Sequence, residues 1–172
     1  MTDPFIEAEV PGQPGWRFWH PSDPTRFNSL LGPISYRVEG GIARVRLTPQ
    51  HQHSNVRDRV HGGVTLAFID VALFAAARGF GLVTAGTAVT LGLDTQFIGE
   101  GLIGQPIEAE VEVLRETGRL LFMRGLVVQG DDRAKVAAFS ATIRKPSPPR
   151  HASPDQPLSD RPGEGRSPVG GG

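Results

Sequence analysis

The sequence predicts an α+β domain in which a curved antiparallel sheet wraps around one long central helix, and three observations carry that prediction. From Val64 to Ala77 run 14 residues of which only Thr65 and Asp70 are polar, with no Gly or Pro among them. Such an Ala- and Leu-rich run reads as a helix, and apolar residues on every face require that it be wrapped by protein. Two strand patterns precede this run and four follow it. One helix cannot cover both faces of a six-stranded sheet, so the sheet is expected to curl around it and to leave its other surfaces to a partner subunit. A membrane span needs about 20 apolar residues. The run is shorter and carries an acid at its centre, which makes it a buried core helix.

The elements follow in order. Residues 1–22 are rich in Pro and Gly but hold Phe5, Trp16, Phe18 and Trp19. Aromatics contribute mainly as buried area, so this stretch reads as an irregular arm covering the domain, with a place along a ligand groove as the alternative. A short helix comes next: Asp23 suits the N-cap, Pro24 the first turn and Gly32 the C-terminal stop, with Phe27, Leu30 and Leu31 on one face. Ile34, Tyr36 and Val38 alternate with polar residues, Gly40-Gly41 marks a hairpin turn, and Ala43, Val45 and Leu47 alternate with Arg44 and Arg46. A polar loop from Thr48 to Val60 leads to the central helix, which stops near Arg78-Gly79. Beyond it, Thr87, Val89, Leu91, Leu93, Thr95 and Phe97 share one side of a strand, with Thr90, Asp94 and Gln96 on the other. Residues 106–115, 120–129 and 134–144 read as three more strands, with turns at Gly118 and Gly130-Asp131-Asp132. Residues 1–33 thus form an arm and a short helix, and 34–145 the folded domain. Residues 146–172, with 7 Pro, 5 Gly and 4 Ser, form a disordered tail.

Composition narrows the function. Lys+Arg and Asp+Glu are equal at 18 each, so no global charge exists to hold nucleic acid or an anionic membrane. The absence of cysteine excludes a thiolate nucleophile and a Cys-based metal site. No basic and apolar leader opens the chain, and a cytoplasmic protein is the default expectation.

Asp70 is the odd residue. A buried carboxylate without compensation costs several kcal/mol, so it must be hydrogen-bonded, neutral, or facing a cleft; a satisfied acid at a helix–helix contact is the non-functional alternative. Gly62 stands at the start of the same helix, where free backbone N–H groups and a partial positive charge suit a carbonyl oxygen becoming an oxyanion. A carboxylate can serve as nucleophile or as general base on water. Eight residues of helix separate the two by roughly 12 Å, too far for one site within one chain. Two such helices laid antiparallel across a two-fold axis would bring Asp70 of one subunit towards Gly62 of the other. An active site built this way belongs to a dimer.

The run Asn55-Val56-Arg57-Asp58-Arg59-Val60-His61-Gly62-Gly63, followed by Asp70 seven residues on, resembles the hotdog-fold acyl-CoA thioesterases of the phenylacetate-degradation (PaaI-like) type. The strand Val89-Thr90-Leu91-Gly92-Leu93 followed by Phe97 is similar too, and the element order agrees over residues 34–145. The resemblance implies a hotdog fold and hydrolysis of an acyl-CoA, or a similar acyl thioester, to free acid and thiol. It implies that Asp70 attacks the thioester or activates water, and that the Gly62 N–H polarises the carbonyl. Asn55 would position water or substrate, and Thr90 would orient the nucleophile. On residue type alone Asn55 is equally a loop-capping amide and Thr90 an ordinary strand residue.

On the substrate side stand His61 and Gly63 at the helix start, Phe68, Phe74 and Leu30 bounding an apolar tunnel, and Arg119, with Arg115 and Arg124, as phosphate contacts. These arginines matter because Ile98-Gly99-Glu100-Gly101 stands where many of those relatives have an Arg-Pro pair near the CoA phosphates, and an acid there repels phosphate. His51, His53 and His61 lack the spacing and the companion ligands of a metal site; the chemistry needs water but no cofactor and no metal. The expected partners are the small-molecule substrate and further copies of the chain, a dimer at least, with a tetramer open. A hotdog dehydratase is disfavoured, because its His and acid stand about 14 residues apart in a His-Phe-Pro-Gly context missing here. A non-catalytic acyl-ligand sensor or structural dimer stays open.

Overall fold

The computed structural model describes residues 5–83 and 88–146. The expected disordered tail therefore lies outside the described residues, except for its first position, and Thr87 lies outside them too.

One antiparallel sheet curves around one long helix, which is the hotdog architecture. The helix, α1 (Gly62–Gly79), follows four strands: β1 (Phe5–Glu9), β2 (Arg17–Pro21), β3 (Ile34–Glu39) and β4 (Ile42–Leu47). Four more follow it: β5 (Val89–Phe97), β6 (Ile107–Glu116), β7 (Leu120–Gln129) and β8 (Ala134–Arg144). The sheet runs β1-β2-β3-β4-β6-β7-β8-β5, every neighbouring pair antiparallel. It has eight strands rather than six.

The two additional strands correct the reading of the N-terminal stretch as an irregular arm. Phe5–Glu9 pairs with Arg17–Pro21, and β2 pairs on to β3, so the stretch is a hairpin continuing the sheet. Its aromatics divide between two faces. Phe5 stacks on Trp19 with ring centroids 4.2 Å apart on the helix side. Trp16 is covered by the guanidinium groups of Arg46 and Arg37, 3.9 and 5.3 Å from its ring centre, where cation–π attraction adds to burial.

The segment expected to be a helix capped by Asp23 is also different. It is a 3-10 helix over Phe27–Leu31, and Asp23 closes a turn ahead of it by accepting from the Thr25 N–H (2.9 Å) and hydroxyl (2.6 Å). One 3-10 turn cannot present an i, i+3, i+4 face. Leu31 alone is buried, while Phe27 and Leu30 are each more than 60% exposed. Gly40 and Gly41, both with positive φ, make the expected hairpin turn between β3 and β4.

The core forms where the alternating strand faces meet α1. Phe68, Ile69, Ala72, Leu73, Ala75, Ala76 and Ala77 are completely buried against Val45, Ala109, Val111, Leu121 and Ile143. Each large apolar side chain buried there contributes about 1.5–3 kcal/mol. By length and composition α1 is apolar enough to cross a membrane; here it is the core helix of a curled sheet. Its end packs so tightly on β3 that a Cβ on Gly79 would come within 3.0 Å of Val38 and Tyr36.

The hairpin is pinned to that end of α1 by a polar cluster. Glu7 accepts hydrogen bonds from the Tyr36 hydroxyl (2.5 Å), Arg17 Nε (2.5 Å) and Arg78 Nε (2.8 Å). Burial alone would raise the Glu7 carboxyl, but these bonds and the Arg78 charge outweigh it and hold the group down from 4.5 to about 2. Burial, and then the bond to Glu7, push Tyr36 up to about 12. A depressed carboxyl stabilises the fold above its unfolded value and ceases to do so as pH falls through its folded value. Stability is therefore expected to fall as pH drops from about 4.5 towards 2. Thermal melts of Glu7→Gln should show a loss of about 2 kcal/mol at neutral pH, several degrees in Tm, and a flatter response across that acid window.

Candidate active site

The start of α1 is prepared by His61. Its backbone is extended, its Nδ1 accepts the Gly63 N–H at 2.9 Å, and its carbonyl accepts the N–H groups of Val64 (2.9 Å) and Thr65 (3.1 Å). Three of the first four helical donors are thereby occupied. Among the described residues the Gly62 N–H makes no hydrogen bond. It stands at the positive end of the helix dipole, and the missing side chain leaves an approach bounded by the Phe97 ring, 3.5 Å from where a Cβ would sit.

His61 is itself held by His53. The His61 N–H donates to the His53 carbonyl at 2.9 Å, and the buried His53 ring accepts the Gln50 N–H (2.9 Å) and reaches the Leu30 carbonyl (2.8 Å) through Nε2. Both His53 ring nitrogens are thus committed to the scaffold. Among the described residues no group of His, Asp and Glu is arranged to hold a metal.

Asp70 is half-buried on the one stripe of α1 that the sheet does not cover. Its Oδ1 accepts the Thr90 hydroxyl at 2.6 Å. Sequence alternation places Thr90 on the side of β5 opposite Leu93, Thr95 and Phe97, and the structure corrects this. The β5–β8 register shifts between Thr90 and Gly92, and such a bulge re-aims the side chain before it. Thr90 turns towards the helix, the same side on which Leu93 packs against the core. α1 and β5 therefore run side by side in opposite directions, with Gly62 beside Phe97 and Asp70 beside Thr90.

The remaining expected residues fall into two groups. Gly63 lies at the open helix start with its N–H taken by His61. Phe74, one turn beyond Asp70, lines a cavity of about 200 Å³ with Phe5, Trp19, Asn28, Arg78, Val83 and Ala88. The others stand elsewhere. Asn55 uses its side-chain oxygen on the Arg57 (2.8 Å) and Arg59 (3.2 Å) N–H groups, the loop-capping role. Phe68 points into the core and is fully buried, so it bounds no tunnel, and Leu30 is exposed. Arg119 is exposed in the β6–β7 turn, Arg115 is exposed on β6, and Arg124 is paired with Glu112. Glu100 is not a lone acid, because Arg59 (3.1 Å) and Arg57 (3.9 Å) both pair with it.

Of the two readings of the N-terminal aromatics, a place along a groove fits Phe5 and Trp19, which line the cavity; sequence reasoning missed Asn28, Arg78 as a cavity wall and the Glu7 anchor. The Pro11-Gly12 and Pro14-Gly15 turn signals between two short alternating runs were the available clue to a hairpin there.

The thioesterase superfamily model matches residues 58–136, the stretch that carries Gly62, Asp70 and Thr90. Over that stretch the chain is similar to the thioesterase superfamily. Among solved structures, the chain is similar to a mutant of the phenylacetic acid degradation protein PaaI from Thermus thermophilus. The two are 27% identical, with a TM-score of 0.57, and the match covers 72% of this chain and 99% of that one. The PaaI protein of the E. coli phenylacetic acid degradation operon shares the fold at 22% identity and a TM-score of 0.58, over 69% of this chain and 83% of that one. A Streptococcus pneumoniae hypothetical thioesterase solved with coenzyme A shares it at 14% identity and a TM-score of 0.56, over 64% and 84% of the respective chains. No curated protein matches the chain. The PaaI-like hotdog resemblance and acyl-thioester hydrolysis in general are thereby supported.

The cap is open to a direct test. His61→Ala should lower stability by about 1 kcal/mol, whereas His61→Asn should recover most of it, because asparagine is an efficient N-cap. Paired chemical denaturation curves measure both.

Proposed function

We propose that the protein hydrolyses acyl-CoA, with each active site assembled from two copies of the chain. The reading rests on the 2.6 Å bond from Thr90 to Asp70, which orients a carboxylate on the uncovered stripe of α1, the same helix whose first N–H is left vacant for an oxyanion. The carboxylate of one copy either attacks the thioester carbon or takes a proton from an attacking water. The Gly62 N–H of the other copy stabilises the charge that builds on the carbonyl oxygen. When water attacks, collapse of the tetrahedral intermediate breaks the C–S bond and the departing thiolate takes up the proton that Asp70 removed from the water. When Asp70 attacks, the same collapse leaves an acyl–Asp70 anhydride, which water hydrolyses to the free acid and Asp70 carboxylate while the thiolate takes the proton that this water gives up.

The need for a second copy follows from distance and from exposure. Gly62 and Asp70 are about 12 Å apart along one helix. The uncovered stripe carries Leu66, Ala67 and Phe74 beside Asp70, and β5 is the free edge of the sheet with Val89, Leu91 and Phe97 exposed. A nine-residue free edge without proline, carrying exposed Val89, Leu91 and Phe97, is a template for strand pairing. Pairing β5 with its symmetry mate buries that edge and sets the two α1 helices antiparallel. Arg57 and Arg59, near the start of α1, offer guanidinium groups for the CoA phosphates, in place of Arg119. Coenzyme A bound to the pneumococcal thioesterase supports the choice of carrier.

Asp70→Asn should leave the melting temperature within a few degrees of wild type yet lower kcat for acyl-CoA by about 10³-fold or more in a thiol-release assay. Full activity in that variant would refute the assigned role. Leu91→Lys should shift sedimentation from dimer towards monomer and reduce kcat/KM by about 100-fold or more, while circular dichroism stays native. A fully active monomer would refute the shared site.

A further inference from the structure

We infer that the N-terminal hairpin is the ruler of the acyl site: Phe5 and Trp19 close the far end of the cavity beyond Asp70 and restrict the acyl group to a compact one. The inference rests on the function proposed above and adds the substrate class. Asp70, Phe74 and Arg78 follow one another at intervals of four on the uncovered stripe of α1, so each lies about 6 Å further along the axis than the last. The cavity takes up where Asp70 ends, because Phe74 and Arg78 form one wall and Ala88, two residues before Thr90, forms another. An acyl chain whose carbonyl is held near Asp70 has this space directly ahead of it.

The wall opposite comes from outside the helix and β5. Phe5 and Trp19 stack nearly parallel, 18° apart, and present a continuous aromatic surface. Trp19 is 4% exposed and its indole N–H is buried with no partner among the described residues. A buried tryptophan ordinarily finds an acceptor. Here the side chain is kept for its breadth. The surface is also held in place: Glu7, paired with Trp19 across the hairpin and two residues from Phe5, is bonded to Arg78, itself a cavity wall. The same ion pair anchors the ruler and bounds the space it measures.

Volume gives the scale. A dry cavity of about 150 Å³ holds benzene, so about 200 Å³ takes an acyl group of about eight carbons by the same measure. Longer chains meet the Phe5–Trp19 surface.

The test uses the full chain, with saturated acyl-CoA thioesters of 4 to 14 carbons and thiol release as the readout. Wild type should show kcat/KM falling about tenfold or more beyond about eight carbons. Trp19→Ala should raise the ratio of dodecanoyl to hexanoyl kcat/KM by about tenfold or more, and Val83→Phe, which fills the cavity, should move the cut-off to shorter chains. General destabilisation would not move the cut-off in opposite directions. An unchanged chain-length profile in both folded variants would overturn the inference. If no thioester is cleaved, the proposed activity fails and the ruler is read by binding instead. Calorimetric titration with free carboxylic acids of 4 to 14 carbons should then show the same cut-off, shifted by the same variants, and affinity that simply climbs with chain length in all three proteins would overturn it.

Discussion

A helix that is apolar on all its faces has to be enclosed, and most of this protein is the means of enclosing α1. The sheet supplies the cover by curling, so that inward residues of β3, β4, β6, β7 and β8 converge on Phe68, Ile69, Leu73 and the alanines. Small residues let the sheet approach, as Gly79 does against Tyr36 and Val38. One chain cannot close the whole circumference. The stripe through Gly63, Leu66, Asp70, Phe74 and Arg78 is left over, and everything with chemical potential lies on or beside it. The enclosure and the site are two consequences of one constraint.

Polar groups are placed where that enclosure is incomplete. At the helix start, His61 takes the donors of Gly63, Val64 and Thr65, which leaves the Gly62 N–H without a bond among the described residues. At the middle, a bulge turns Thr90 towards Asp70, so a carboxylate in a mainly apolar setting has a donor that also fixes its direction. At the helix end, Glu7 gathers Arg17, Tyr36 and Arg78 and ties the first hairpin to the last turn. Each arrangement satisfies backbone or charge that burial would otherwise leave uncompensated.

Legibility from sequence follows the range of the interaction. Strands β7 and β8, the Gly40-Gly41 hairpin and the central helix are written in local periodicity and turn chemistry, and they are readable there. Asp70 and Gly62 are conspicuous because one is charged and the other small where the pattern calls for neither. Alternation puts Thr90 on the wrong side of β5, since a bulge has no mark in the alternation. Phe68 and Phe74 look alike as tunnel residues, yet one is sealed in the core and the other faces the cavity. Phe27 and Leu30 suggest a helical face that a single 3-10 turn is too short to make.

The sequence by itself determined that an acid would be sunk in an apolar helix, that this helix would need a sheet around it, and that its first turn would offer backbone donors. Those are local facts: residue type, spacing and propensity suffice for them. Only the tertiary structure decided how a bulge turns Thr90 towards Asp70, that Asn55 spends its oxygen on its own loop, and that the N-terminal stretch is a hairpin lining a cavity. These depend on contacts between residues distant in the chain, such as Glu7 with Arg78 and Asp70 with Thr90, and on backbone geometry that no periodicity records.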